Sequence, residues 1–440
     1  MPRTDPPAAA GPAGLTAAQA HILAAQNADP SYAGHNVGQY IELVGPLDTA
    51  ALDEAVLRTF DEAPWLRSRP MPRGGLPRLD TSAAADPMGA AVALVRDQLA
   101  CPPRPELLAD PAGTGVAPDL TGALLVRVGP EHHLLVQYFH LLAVDGYAVA
   151  LLSRRIAEVY TALVDGRPPG PTPFAPVSVL VDADRAYTGS AAQAADRRYW
   201  TGRYADRPTP VSPAGRAAPA QDTARRHTVH LGAADSAAVR ATARSARVTW
   251  AEAVLAATAV RLTAQAGVRE AVLAVYVAAR TGPGTLRVPA TAVNVLPVRL
   301  PVRGADTFRS LLRAAAGELT LLRRHQRLRG EELARELWPE HGGGRVPGPL
   351  VDLRPFETEL DFGAIPGRVV SLASGPVDDL AVSAAAGPGG RLRLDFDMNP
   401  ALYEEGEPAR FAALFTEDLA ALCRAPDVPV ATLRTSPVHP

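Results

Sequence analysis

Residues 138–146 read Tyr-Phe-His-Leu-Leu-Ala-Val-Asp-Gly and join two segments of different hydrophobic periodicity. The preceding residues 132–137 have the pattern of a β-strand, and residues 148–160 carry apolar side chains at helical spacing. The sequence therefore predicts a strand that enters a tight turn, with His140 and Asp145 at the junction with a helix. The glycine that ends the run suits a backbone position where a side chain would obstruct.

The composition limits the functions that the chain can have. It has 440 residues, long enough for two or three ordinary domains or for two lobes. Its net charge of -2 provides no basic field for nucleic acid or an anionic membrane. All 44 basic residues are arginine, so lysine Schiff bases and phosphate-loop lysines are excluded. The two cysteines have no zinc or redox spacing, and no apolar run is long enough to span a bilayer.

The run at residues 140–146 resembles the His-His-x-x-x-Asp-Gly signature of nonribosomal peptide synthetase condensation domains. His140 takes the place of the first His, and Asp145 and Gly146 take the places of the Asp and the Gly. Leu141 replaces the second His, which in that family points into a tunnel and serves the attacking amine as a base or a positioning group. A leucine cannot take a proton, so this departure limits how much of the family's chemistry the resemblance implies.

Other segments match the same family, in the family's order along the chain. Leu15 to Gln19 resembles its Leu-Thr-x-x-Gln opening, and residues 294–297 read Asn-Val-Leu-Pro after a turn that contains Arg280. A helix that leads into His325 resembles the enterobactin-synthetase-like branch. The chain is therefore identified as a member of the condensation-domain family, in a stand-alone form.

This resemblance implies an α/β fold with two chloramphenicol-acetyltransferase-like lobes, arranged as a V-shaped pseudo-dimer with a tunnel between them. Residues 1–14 are rich in Pro, Ala and Gly and are predicted to form a disordered arm. The Pro-rich stretch 166–176 resembles a linker between lobes. We therefore expect an N-terminal lobe at residues 15–176, which carries the His140 motif, and a C-terminal lobe at residues 177–440.

The resemblance also assigns roles to individual residues. Asp145 is expected to pair with Arg280 across the lobes, because a buried carboxylate needs a cation or several N–H donors. Both residues are therefore expected to be structural, and Asn294 belongs to the same structural set. Leu141 and Gly146 are the residues expected at the tunnel.

Two roles are open for His140. Adjacent strand residues face opposite sides, so if Leu141 points into the tunnel, His140 points away and is a packed, hydrogen-bonded residue that holds the turn. A local bulge would instead turn it inward as a catalytic residue. His132 and His133 face opposite sides for the same reason, so we expect both to be structural and expect no metal site.

The implied function is condensation-type acyl transfer, which forms an amide between a carrier-bound acyl thioester and an amine in nonribosomal peptide biosynthesis. Two alternatives stay open: a catalytically degenerate condensation domain that docks carrier proteins or a tailoring enzyme, and an acyl-CoA-dependent acyltransferase. The chain is expected to bind no cofactor, and its substrates are phosphopantetheine thioesters on peptidyl or aryl carrier proteins. We expect a cytoplasmic monomer without nucleic-acid or membrane partners.

Overall fold

The computed structural model describes residues 14–66, 75–101, 120–221, 223–341, 344–355 and 359–432. The arm predicted at residues 1–14 lies outside these ranges except for Gly14. The chain divides into two compact units. The first contains the described residues up to Ser190 with Arg280–Ala292 and Asp361–Ser374, and the second contains Ala191–Ala279, Val293–Leu360 and the described residues from Gly375.

Helices and strands are interspersed along the described residues. The helices are α1 (Ala17–Ala28), α2 (Thr49–Asp61), α3 (Pro87–Leu99), α4 (Gly146–Val164), α5 (Ser178–Tyr187), α6 (Ala191–Arg203), α7 (Ala233–Ser245), α8 (Trp250–Ala266), α9 (Phe308–Arg324), α10 (Gly330–Leu337) and α11 (Glu407–Arg424). The strands are β1 (Asn36–Val44), β2 (Arg78–Asp80), β3 (Thr121–Gly129), β4 (His132–His140), β5 (Arg225–His230), β6 (Glu270–Val277), β7 (Asn294–Pro301), β8 (Leu350–Arg354), β9 (Glu359–Phe362), β10 (Ile365–Ser374), β11 (Leu380–Ala386) and β12 (Leu392–Met398). None of the helices in the described ranges is long and apolar enough to cross a membrane.

The first unit is built on a six-stranded sheet with the order β2-β3-β4-β1-β10-β9. β1 lies antiparallel to both β4 and β10, and β3 and β4 form an antiparallel hairpin across Gly129 and Pro130. Phe139 of β4 stacks on Phe60 of α2, with ring centroids 6.3 Å apart. Val136 of β4 belongs instead to the apolar cluster that α3 covers. The strand β4, which leads into the motif, therefore has packed side chains on both of its faces.

The second unit is built on another six-stranded sheet, with the order β5-β12-β11-β8-β6-β7. The strongly apolar composition of residues 249–266 predicts a deeply buried helix. The structure confirms it as α8, in which every residue from Trp250 to Thr263 is buried. Thr249 and Glu252 form a capping box at its start. The Thr249 side chain accepts from a main-chain N–H of the first turn, and the Glu252 side chain accepts from the Thr249 N–H. This cap explains why the helix begins at the predicted position.

The division into units differs from the two contiguous lobes predicted at residues 15–176 and 177–440. α5 belongs to the first unit, and two later segments return to it. The returning strand β10 pairs with β1 from Val37 to Leu43. The returning segment Arg280–Ala292 is hydrogen-bonded to the rest of the first unit at several points. For example, the Ala175 N–H donates to the Arg287 carbonyl at 2.9 Å. Long-range strand pairing therefore sets the limits of the units, and the Pro-rich stretch at 166–176 does not.

Candidate active site

The motif occupies the turn between β4 and α4. β4 ends at His140, and α4 begins at Gly146. Asp145 is the N-cap of the helix, because its Oδ1 accepts a hydrogen bond from the Ala148 N–H at 2.9 Å. The sequence prediction of a strand, a tight turn and a helix at these residues is therefore confirmed.

Asp145 and Arg280 form a buried ion pair, so their predicted pairing is confirmed. Arg280 Nη1 donates to Oδ2 at 2.9 Å and Nη2 donates to Oδ1 at 3.0 Å. The two side chains are 2% and 0% exposed. The Ala292 N–H also donates to Oδ2, at 2.9 Å. A bidentate guanidinium and backbone donors together satisfy the buried carboxylate, which is the condition for keeping such a charge inside a protein.

Asp145 and Arg280 belong to the same compact unit, so the ion pair lies within the first unit. The whole Arg280–Ala292 segment lies on that unit. Trp65 Nε1 donates to the Pro289 carbonyl at 3.1 Å, and the Tyr147 hydroxyl donates to the Leu286 carbonyl at 3.0 Å. The ion pair therefore fastens a returning segment onto the motif turn.

His140 is buried, and both of its ring nitrogens are hydrogen-bonded. The Leu142 N–H donates to Nδ1 at 3.0 Å, so the proton of the neutral ring belongs on Nε2. Nε2 lies 3.0 Å from Gln26 Oε1, which also lies 2.9 Å from His35 Nδ1. The Gln26 amide nitrogen donates to main-chain carbonyls, including that of Tyr32 at 3.0 Å, and this fixes the orientation of the amide. The Gln26 oxygen is therefore a shared acceptor for both histidines.

Burial, and to a smaller extent the neighbouring His35, lower the pKa of His140 to about 3. Its one lone pair already accepts from Leu142, and its N–H already donates to Gln26. This geometry agrees with the packed, hydrogen-bonded alternative for His140. The catalytic alternative stays a prediction to which these contacts give no support, because a general base needs a nitrogen that can accept a proton from the substrate.

His140 gives the stability a predicted dependence on pH. Its folded pKa of about 3 lies below the ordinary value of 6.5, so between these values the unfolded chain binds a proton that the folded chain does not. The free energy of unfolding should therefore fall as the pH drops below about 6.5, by up to about 1.4 kcal/mol per pH unit for this residue. Urea denaturation at a series of pH values would measure the slope.

The matched variant for this test is His140→Asn, whose side-chain oxygen can still accept from the Leu142 N–H. We expect a shallower slope than in the wild-type protein below about pH 6.5. The packing that this variant loses lowers the free energy of unfolding by the same amount at every pH, and the measurement at neutral pH gives that amount. Parallel curves for the two proteins would contradict the prediction. His133, whose pKa burial also lowers, contributes equally to both curves.

Leu141 stands where the family has its second His, and its main chain is fixed. Its N–H donates to the His35 carbonyl at 2.9 Å, and its carbonyl accepts from Thr291 Oγ1 at 2.5 Å. The side chain is partly exposed. The turn thus presents a hydrocarbon side chain at this position, which can shape a binding surface but cannot transfer a proton.

Gly146 is exposed, and its backbone does not have a left-handed φ. A Cβ atom built at this position would meet no atom within 4 Å. The expectation that a side chain would obstruct the chain's own backbone here is therefore wrong. Its place at the tunnel stays a prediction.

Asn294 begins β7 and organises the link between α9 and α10 in the second unit. Its Nδ2 donates to the carbonyls of Gln326 and Leu328 at 2.9 and 2.7 Å, and its Oδ1 accepts from the Gly330 N–H at 2.9 Å. The residue is 1% exposed. Asn294 therefore holds the main chain of this link in place, and its structural role stays a prediction.

His132 and His133 lie at the start of β4, away from the motif turn. His132 Nε2 is 2.9 Å from Glu42 Oε1, and His133 is buried. Across the ranges that the structure describes, no group of three or more His, Cys, Asp or Glu side chains is placed to hold a metal ion.

Sequence reasoning missed the side chains that fix the turn from outside it. Gln26 lies 114 positions from His140, and Thr291 lies 150 positions from Leu141. The Leu-Thr-x-x-Gln match did contain a signal: Gln19 Nε2 donates to the Leu142 carbonyl at 2.9 Å. Thr16 is the N-cap of α1 and also donates to the Thr291 carbonyl at 2.8 Å. Thr16 and Gln19 of the opening motif therefore both form hydrogen bonds at or beside the turn.

Comparison with known proteins identifies the family. A family model described as "Condensation domain" matches residues 117–438. The isonitrile lipopeptide synthase of Streptomyces coeruleorubidus is 37% identical over 443 residues, which cover 97% of this chain and 29% of that protein. The dimodular nonribosomal peptide synthase of Bacillus subtilis is 33% identical, over 89% of this chain and 17% of that protein. The chain therefore spans less than a third of the length of these two relatives.

Solved structures agree with this result. The first condensation domain of the calcium-dependent antibiotic synthetase, in complex with a substrate analogue, superposes with a TM-score of 0.86 at 31% identity, over 95% of this chain and 97% of that one. A variant of the starter condensation domain of the rhizomide synthetase RzmA, in complex with C8-CoA, gives 0.85 at 31% identity, over 95% and 96%. These similarities support the two-lobed α/β fold. The chain belongs to the condensation-domain family, whose members are acyltransferases that form amide bonds in nonribosomal peptide synthesis.

Proposed function

We propose that this chain joins the acyl group of one carrier-bound thioester to the amine of a second carrier-bound substrate. The amine nitrogen attacks the thioester carbonyl carbon, so that a C–N bond forms and the C–S bond breaks. The amine loses a proton, and the phosphopantetheine sulfur leaves as a thiol. Two phosphopantetheine arms on carrier proteins are therefore the substrates, and carrier proteins are the partners.

The observation that carries the proposal is a rigid motif turn that has Leu141 in place of a base. Both main-chain groups of Leu141 are hydrogen-bonded, and Asp145 is held by Arg280. Positioning two reactants can lower a barrier by roughly 7–11 kcal/mol, whereas a general base typically contributes about 10²–10⁴ in rate. A site that positions both substrates but lacks a base therefore retains positioning, which is the larger of the two contributions to the rate.

An amine acceptor suits such a site. An α-amine has a pKa of about 7.7–8.0, so about a tenth of it is neutral and nucleophilic at pH 7 without help from the protein. A hydroxyl is hardly ionised at the same pH and depends on a base. We therefore propose that amines are accepted and hydroxyl acceptors are strongly disfavoured.

The similar proteins support a starter acyl group as the donor. Two of the similar solved structures are described as a first and a starter condensation domain, and one of these holds C8-CoA. One similar synthase is named for a lipopeptide product. We propose that the donor is an acyl chain attached through a thioester and that the acceptor is an aminoacyl thioester on a carrier. The comparisons favour this amide-forming transfer over the docking and acyl-CoA alternatives.

The proposed function predicts how the rate depends on pH. We expect the rate of amide formation to rise with pH through the pKa of the acceptor amine and to level off above it, because only the neutral amine attacks. His140, whose pKa is about 3, does not titrate in this range. The measurement is product formation by mass spectrometry between about pH 6 and 9, with one donor and two acceptors of different amine pKa.

The control for this experiment is the same pair of acceptors reacting with the donor thioester in the absence of the chain. The midpoint of the catalysed profile should move with the pKa of the acceptor. A common midpoint for both acceptors would show that a group of the protein controls the proton. Absence of product above the uncatalysed reaction would contradict the proposed function itself.

A further inference from the structure

Thr291 links the motif turn to the returning segment. Its side chain is fully buried, and its Oγ1 donates to the Leu141 carbonyl at 2.5 Å. Its own carbonyl accepts from Thr16 Oγ1 at 2.8 Å. Thr291 therefore lies between the opening segment of the chain and the motif residue where the family has its second His.

The neighbours of Thr291 fix its position. The Ala292 N–H donates to Asp145 Oδ2 at 2.9 Å, and Arg280, at the other end of the same segment, forms the bidentate pair with Asp145. Residues 291 and 292 therefore bond to both ends of the turn, at Leu141 and at Asp145. Such a double attachment sets the register between the segment and the turn.

The hydroxyl of Thr291 completes the restraint on Leu141. The N–H of Leu141 is held by the His35 carbonyl at 2.9 Å, and the Thr291 hydroxyl supplies the donor for its carbonyl. A valine has nearly the same shape as threonine but cannot donate, so the carbonyl would lose its partner without a large change in packing. The peptide plane after Leu141 would then lose one of two restraints, because the Leu142 N–H still donates to His140 Nδ1, and the Leu141 side chain would be held less firmly.

We propose that Thr291 is a positioning residue of the amide-forming site: its hydroxyl holds the main chain of Leu141 in the orientation that aligns the two thioester substrates. It acts through Leu141 and does not touch the reacting atoms. This inference rests on the proposed function, because it assigns to Thr291 a part of the positioning on which that function depends.

The test compares Thr291→Val with Thr291→Ser in the assay with loaded donor and acceptor carriers. A displacement of about 1 Å in a positioned group can lower a rate by roughly 10²-fold. We therefore expect Thr291→Val to lower kcat by roughly 10- to 10²-fold with KM little changed. Thr291→Ser retains the hydroxyl and should keep most of the wild-type kcat.

A matched control separates positioning from general destabilisation. Thr258 of α8 is also 0% exposed, and its Oγ1 donates to the Val254 carbonyl at 2.8 Å, in the second unit. Thr258→Val removes a buried hydroxyl outside the motif turn, and the Val254 carbonyl keeps its helical bond from the Thr258 N–H. Tm should therefore fall less than in Thr291→Val, and kcat should not change. If Thr291→Val does not fold, Thr291→Ala makes the same comparison with a smaller side chain.

The outcomes are distinct. Equal kcat values for Thr291→Val, Thr258→Val and the wild-type protein would overturn the role of Thr291 while leaving the proposed function intact. A wild-type protein that forms no amide would contradict the proposed function instead. A loss of kcat in Thr291→Val that Thr291→Ser does not share would support the positioning role.

Discussion

Arg280→Met is expected to lower the free energy of unfolding of the first unit by about 3–5 kcal/mol. The variant leaves the Asp145 carboxylate buried without the guanidinium that neutralises it. Arg280 also donates to the Ala290 carbonyl, so the returning segment loses a bond between its own two ends as well. Urea denaturation would measure the free energy, and hydrogen–deuterium exchange of peptides from residues 280–292 would locate the loosened region.

An exposed ion pair provides the control for this prediction. Arg185 Nη1 lies 2.9 Å from Asp182 Oδ1, with side chains that are 71% and 67% exposed. Arg185→Met should change the free energy of unfolding by less than about 1 kcal/mol. If Arg280→Met were no more destabilising than Arg185→Met, the buried pair would not be what fastens the segment to the turn.

Leu141→His is expected to change the acceptor range of the enzyme. A base at this position gains only about tenfold with an α-amine at pH 7, because about a tenth of the amine is already neutral. With a hydroxyl acceptor, the gain should approach the roughly 10²–10⁴ that general base catalysis typically contributes. Initial rates with carriers that present either an amine or a hydroxyl would measure the two gains.

Leu141→Asn is the control, since asparagine is polar but is not a base at pH 7. It should give no gain with either acceptor. Equal gains with amine and hydroxyl acceptors, or a gain in Leu141→Asn, would show that the new side chain acts by polarity or shape. That result would contradict the prediction that Leu141→His acts by supplying a base.

The local parts of the structure follow well from the sequence. The alternating pattern of residues 132–137, the helical spacing of residues 148–160 and the turn between them predict the β4–α4 unit because each depends on residues close in the chain. α8 is predicted for the same reason. The pairing of Asp145 with Arg280 was implied by the family resemblance, and the physical need of a buried carboxylate for a cation agrees with it.

The long-range parts do not follow from the sequence. A single glutamine at position 26 carries no sign that it will serve two histidines, and nothing marks Thr291 as a partner of Leu141. A Pro-rich stretch at 166–176 looks like a boundary, yet the pairing of β10 with β1 places later residues in the first unit. Such contacts depend on which strands become neighbours, and no local periodicity encodes that choice.

The assembly of the first unit from separate stretches of chain has a consequence for biosynthesis. The contact between Arg368 of β10 and Glu42 of β1 joins residues 326 positions apart. A ribosome delivers the chain from its N-terminus at about 5–20 residues per second, so β1 emerges long before β10 has been made. During this interval β1 is an edge strand with unpaired N–H and C=O groups, a template for pairing with another nascent chain. Until residues 365–374 have been made, this edge of β1 has no β10 to cover it.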